Sequence, residues 1–252
     1  MKRLMILTLL ALIIFCPAFL HAQPATPLSL PKVGISIGSS NNPGDISTTL
    51  QILLLITVLS LAPSLVIMTT AYLRIIIVFH FLKSALGTPQ MPPSQLVAGI
   101  ALFLTFFVMA PTWGKVNDQA LKPLMNGKIT AEQAYDKGIE PIREFMFRNV
   151  RNEDLELFIG LANLKRPDDH KDLPTYVVIP AFVLSELRAG FIIGFFLFIP
   201  FIMIDMIIAS ILMSMGMMML PPMLVSLPFK ILLFILVDGW NLIVGSVVRS
   251  FS

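Results

Sequence analysis

Glu186, Arg188 and Asp205 are ionisable residues inside stretches otherwise apolar enough for a bilayer, and Lys230 and Asp238 lie in similar surroundings further on. A charge in such a setting is expensive and marks a site or a buried partner. Two chemistries are open. Asp205 and Asp238, if brought together, could share one proton as an intramembrane aspartyl protease does, although neither has a recognisable catalytic context. Alternatively, carboxylates and cations could bind one another between helices. Glu186 and Arg188 are two residues apart, so on a helix they face different sides and suit separate neighbours. A second feature lies close by. More than half of the 15 methionines fall within 203–223, and the densest run, 213–223, is interrupted by Pro221 and Pro222. Methionine is an unbranched, polarizable filler that adapts to irregular or changing surfaces. Charges and methionines together suggest a membrane assembly with a deformable seal rather than a simple anchor.

The composition sets the class. The chain is 56% hydrophobic and 13% charged, with a mean hydropathy of +0.84. Soluble proteins average about 25% charged, so this is a multi-spanning membrane protein. The net charge of +3 is small and the basic residues are dispersed, which gives no reason to expect nucleic acid. A single cysteine, Cys16, excludes an internal disulfide, and Phe15 before it does not suit a lipoprotein site. No P-loop, GxSxG, HExxH or metal-ligand cluster is present, so no cofactor, no metal and no enzymatic activity are expected.

The elements that must position these residues follow from the hydrophobic pattern. Residues 1–22 read as a signal peptide, with Lys2 and Arg3, an apolar core and Ala22 before cleavage; an uncleaved first helix is the other reading. Residues 23–49, rich in Pro, Gly and Ser, are expected to be a flexible periplasmic segment. Residues 50–73 are uncharged and long enough to cross about 30 Å at 1.5 Å per residue, with a kink expected at Pro63. Arg74 and Lys83 either snorkel to the headgroups, or Arg74 pairs with a carboxylate on another helix. The lone His80 is expected to be structural. Gly87, Pro89, Pro92 and Pro93 make a stiff turn, and 96–113 is a second span that closes a first hairpin over 50–113.

Residues 114–175 hold most of the acidic residues and more than half of the basic ones. They are expected to form a small helical domain. Its helices would open at a Thr130/Gln133 capping box, run again over 140–148, and resume from Asn152. His170 is expected in a solvated loop. Residues 176–252 form a second hairpin carrying the methionine loop. Its first span, 176–204, repeats small residues at Ala181, Ser185 and Ala189, and Gly190 with Gly194 forms a GxxxG; such a face lets helices pack closely in lipid. Gly216, Pro221, Pro222 and Pro228 argue for a broken or re-entrant hairpin over 206–229, and 231–248 is the last span. The fold class is therefore an all-α membrane protein of about four hydrophobic helical segments or hairpins, with a small helical extracytoplasmic domain. Counting spans from a cleaved leader puts the charged domain and the C-terminus outside and the methionine loop towards the inside. A small-solute transporter would show inverted repeats, and none is convincing.

Four blocks in order carry a resemblance. They are Glu186-Leu187-Arg188-Ala189-Gly190-Phe191; Pro200-Phe201-Ile202-Met203-Ile204-Asp205-Met206; Ser210-Ile211-Leu212-Met213-Ser214-Met215-Gly216-Met217-Met218-Met219-Leu220-Pro221-Pro222; and Ser226-Leu227-Pro228-Phe229-Lys230. With their spacing, the chain from about residue 45 to its end resembles the flagellar biosynthetic protein FliP family, whose injectisome relatives share the pattern. The resemblance implies a core subunit of the type III export gate in the bacterial inner membrane, at the flagellar basal body. Several copies would assemble with FliQ and FliR into a pore for unfolded flagellar subunits, served by FlhA and FlhB. The methionine-rich gasket of the family falls on Met213, Met215, Met217, Met218 and Met219. The helices of the family are also thought to leave the bilayer plane on assembly. On this reading Arg74, Glu186, Arg188, Asp205, Lys230 and Asp238 are expected to be inter-subunit charges, and Ala181, Ser185, Ala189, Gly190 and Gly194 helix-packing positions. The leader and signal peptide lean towards a flagellar rather than an injectisome gate.

Overall fold

Long uncharged runs can satisfy their backbone in an apolar setting as helices or as closed barrels, and here every regular element among the described residues is helical. The computed structural model describes residues 43–88, 91–165, 172–217 and 219–251, with side chains from Leu50 onward. The expected signal peptide, most of the Pro/Gly/Ser segment, Cys16, His170 and Met218 lie outside the described residues. Two units partition the chain, Met1–Leu53 and Leu54–Ser252; the described residues of the first are the start of α1.

Helix α1 (Pro43–Met68) is followed by α2 (Tyr72–Leu86), α3 (Ser94–Val116), a π-helical turn (Asn117–Leu121) and the single turn α4 (Lys122–Met125). Then come α5 (Ala131–Asn149), α6 (Asn152–Leu161), the 40-residue α7 (Thr175–Ser214), α8 (Pro222–Leu236) and α9 (Gly239–Arg249). Among the described residues, three helical stretches are long and apolar enough to cross a membrane: Leu50–Met68, Ser94–Met125 and Thr175–Ser214. The pair α8 and α9, bent by 65°, makes a fourth if taken as one broken span.

Several expectations shift. The run 50–73 does not continue as one helix into Arg74. It stops at Met68, where the Thr69 hydroxyl donates to Leu65 O and that of Thr70 to Ile67 O, hydroxyls that compete with the helical ladder. The second span runs past Trp113 to Met125. One helix, α5, replaces the two expected over 130–148, with Pro141 inside it. The Thr130/Gln133 capping box is present: Gln133 N–H donates to Thr130 Oγ1 and Thr130 N–H to Gln133 Oε1. Helix α7 passes unbroken through Pro180, Pro200 and Asp205. At 1.5 Å per residue it is about 60 Å long, twice a bilayer core of about 30 Å. The last apolar run is not a straight span; it turns at Asp238.

The core gathers around α2 and the first half of α7. Ile75, Val78, Phe79 and Leu82 of α2 are buried with Val177, Val178, Ala181 and Phe182 of α7. The two helices run parallel, because Arg74 meets Glu186, Ile77 lies over Gly190 and Phe81 over Gly194. A Cβ on Gly194 would overlap the Phe81 ring, and one on Gly190 would approach Ile77 Cγ2 to 3.0 Å. Gly190 and Gly194 thus let α2 approach within the same chain, while Ala181 and Ser185 are buried and Ala189 half-buried, with Ser185 turned towards Asp154 of α6. The charged helices α5 and α6 join this core: Phe145 of α5 packs edge-on against Phe182 (5.9 Å between centroids), and Leu155 and Ile159 of α6 are buried in it. By contrast, Leu54, Leu55 and Leu59 of α1, Phe103 and Phe107 of α3, and Phe195, Phe196 and Met206 of α7 lie exposed.

Candidate functional site: a methionine loop and two buried ion pairs

The methionine loop joins α7 to α8. Its chain reverses at Gly216, whose φ of +72° is the left-handed region that glycine enters without strain. Met217 N–H closes onto Leu212 O behind it. Met213, Met215 and Met217 are exposed, and Met219 is 98% exposed. Among the described residues these thioethers stand outside the buried core, presented rather than used as filler.

A clamp behind the loop ties α8 back to α7 and α2. Lys230 Nζ donates to Asp205 Oδ2 at 2.6 Å and to Ala85 O, near the end of α2, at 3.1 Å. Ser226, one turn before Lys230, donates its hydroxyl to Asp205 Oδ1. The Lys230 side chain is 3% exposed and that of Asp205 27%, so the ammonium is the more deeply desolvated partner. Spacing of four residues puts Ser226 and Lys230 on one face of α8, which is why a single carboxylate takes both. Nearby, the buried Lys83 donates, among the described residues, to Ser94 Oγ at 3.4 Å.

The second ion pair anchors the other end of the bundle. Arg74 donates through Nε to Glu186 Oε2 at 2.9 Å and through Nη2 to Glu186 Oε1, a two-armed contact with Glu186 fully buried. Its Nη1 donates to Ser250 O and Oγ, its Nη2 also reaches Asn149 Oδ1, and its guanidinium lies 3.8 Å from the Phe251 ring centroid. One arginine thus joins α2, α5, α7 and the C-terminus. Beside it, Ser185 donates to the buried Asp154 of α6 at 2.7 Å and accepts from Arg151 N–H.

Of the six expected inter-subunit charges, four therefore have partners in the same chain: Arg74 with Glu186, and Lys230 with Asp205. Arg188 and Asp238 are exposed. Asn149, Asp154, Ser226, Ser250 and Phe251 were not expected at the site. Only Ser226 carried a signal, its spacing from Lys230. Among the described residues no group of three His, Cys, Asp or Glu side chains could hold a metal ion.

A family model described as the FliP family matches residues 55–247. The chain is 54% identical over 217 residues to the flagellar biosynthetic protein FliP of Bacillus subtilis (strain 168), an alignment covering 86% of this chain and 98% of that one. It is 46% identical over 233 residues to the protein of the same name from Borreliella burgdorferi, covering 91% and 90% of the two chains. To that of Treponema denticola it is 41% identical over 268 residues, covering 99% of each.

Proposed function

The chain belongs to the FliP family, and on that premise we propose that it is a pore-forming membrane subunit of the type III export gate used in flagellum biogenesis. Its relatives are named as flagellar biosynthetic proteins, and the described residues include three helices, or four with the bent pair, long and apolar enough to cross a membrane. Several copies join FliQ and FliR in the inner membrane at the basal body. FlhA and FlhB deliver unfolded flagellar subunits to the pore they form. The charged helices α5 and α6 face the periplasm, and the chain catalyses no reaction.

The observation that carries this reading is the exposure of Met213, Met215, Met217 and Met219 on a loop held from behind by the Asp205–Lys230 clamp. A pore for varied unfolded chains cannot use a rigid lining. Thioether side chains change rotamer readily, so a ring of them closes against itself and reopens around different side chains. Met218 belongs to the same gasket. The Lys230 ammonium and Ser226 hydroxyl on Asp205 argue against an aspartyl pair with Asp238.

Replacing Met217, Met218 and Met219 together with alanine tests the reading. In cells co-expressing the partner subunits, the complex should still migrate intact on native gels while the membrane becomes leaky to small dyes and flagellar subunits are still secreted. An intact complex with an unchanged barrier would overturn the gasket; loss of neither motility nor secretion on deleting the whole chain would overturn the export role.

A further inference from the structure

Arg188 and Asp238, like Arg249 at the end of α9, are charges of the apolar segments that the fold leaves exposed and whose side chains have no hydrogen-bond or ion-pair partner among the described residues. Their surroundings are not those of ordinary surface charges. Arg188 is followed on its own helical face by Phe191, Ile192 and Phe195, all exposed, and Asp238 stands between exposed Leu236, Val237 and Leu242. Unpaired charge on so apolar a surface is costly once that surface leaves water. Nor is Asp238 used locally: at φ +48° it precedes α9, yet its carboxylate makes no capping bond there.

Opposite faces separate the two within one chain. Glu186, Gly190 and Gly194 face α2, and Arg188 is turned about 200° from Glu186 at 100° per residue. Asp238 lies on the α2 side, at the joint whose Trp240 rests against Phe79 of α2 with ring centroids 6.4 Å apart. Their levels nevertheless agree. Since Ile77 is level with Gly190 and Phe81 with Gly194, Phe79 and the joint are level with about residue 192. That is four residues from Arg188, about 6 Å along the axis, within the combined reach of the two side chains.

We propose that neighbouring copies of this chain join head to tail, the Arg188 guanidinium of one copy pairing with the Asp238 carboxylate of the next. The proposal rests on the multi-copy reading above and names the contact that builds it. Two different patches on one molecule make a heterologous contact, which repeats around a ring or spiral and satisfies every Arg188 and Asp238 except at an open end; a two-fold contact would set each patch against itself. Guanidinium and carboxylate suit such a contact because two parallel N–H···O bonds fix orientation as well as charge.

The test uses the full chain co-expressed with its partner subunits. Arg188→Glu alone and Asp238→Arg alone should each weaken assembly by about thirtyfold, as expected when one member of a desolvated interfacial pair is lost. The double swap should restore it, which separates lost pairing from misfolding. In a Cys16→Ser background, chains carrying Arg188→Cys mixed with chains carrying Asp238→Cys should give disulfide-linked dimers, while neither variant alone should. Normal assembly of both single reversals, or linked dimers from one variant by itself, would overturn the pairing and leave the multi-copy reading standing. A wild-type chain that stays a single copy beside its partners would overturn both.

Discussion

Arg74 and Glu186 join α2 to α7 through two parallel hydrogen bonds, with the carboxylate fully buried and the guanidinium also holding Ser250. This pair joins α2, α5, α7 and the residues after α9 at one point. Removing either member leaves an uncompensated buried charge.

Glu186→Ala should therefore destabilise the purified chain by about 3–5 kcal/mol. Arg74→Lys should also destabilise it, because an ammonium cannot make the two-armed contact or lie flat against Phe251. Thermal unfolding in detergent reads both. A Glu186→Ala protein as stable as the wild type would contradict the assignment of Arg74 as the hub.

Gly194→Ala should be more damaging than Gly190→Ala. The added Cβ overlaps the Phe81 ring in the first case and only presses on Ile77 in the second. Overpacking of this kind costs about 1–3 kcal/mol. Combining Gly194→Ala with Phe81→Ala should recover part of the loss. If Phe81→Ala gives no relief, the two helices do not meet there.

Asp205→Ala should impair assembly of the complex, because it leaves the Lys230 ammonium with only Ala85 O. Ser226→Ala should do less, since the salt bridge survives. Native gels of the co-expressed complex compare the two directly, and a normal complex with Asp205→Ala would refute the clamp.

Ser185→Ala should loosen α6 from α7. It strips the buried Asp154 carboxylate of its hydroxyl donor, a loss worth about 1–3 kcal/mol. Faster amide exchange across Asn152–Leu161, with α3 unchanged, is the expected readout. Equal exchange in both helices would show that the contact is dispensable.

Properties confined to one residue or one short pattern were legible from the amino-acid order. The membrane class follows from composition, the methionine loop from local density, and the Thr130/Gln133 cap from two residues three apart. The positions of the unusual charges could be seen for the same reason. What could not be seen was who answers them. Arg74 and Glu186 are separated by 112 residues, and no periodicity links positions so far apart. Their meeting depends on α2 lying parallel to α7, which depends on Gly190 and Gly194 yielding space to Ile77 and Phe81. The end of α1 at Met68, the single helix over Ala131–Asn149 and the bend at Asp238 are likewise set by contacts and competing hydrogen bonds. Chain chemistry thus specified that ionic groups would be buried among apolar helices. Packing in three dimensions chose which were neutralised inside the fold and which, Arg188 and Asp238, were left facing outward, because a charge can be matched only by a partner that the folded backbone brings within reach.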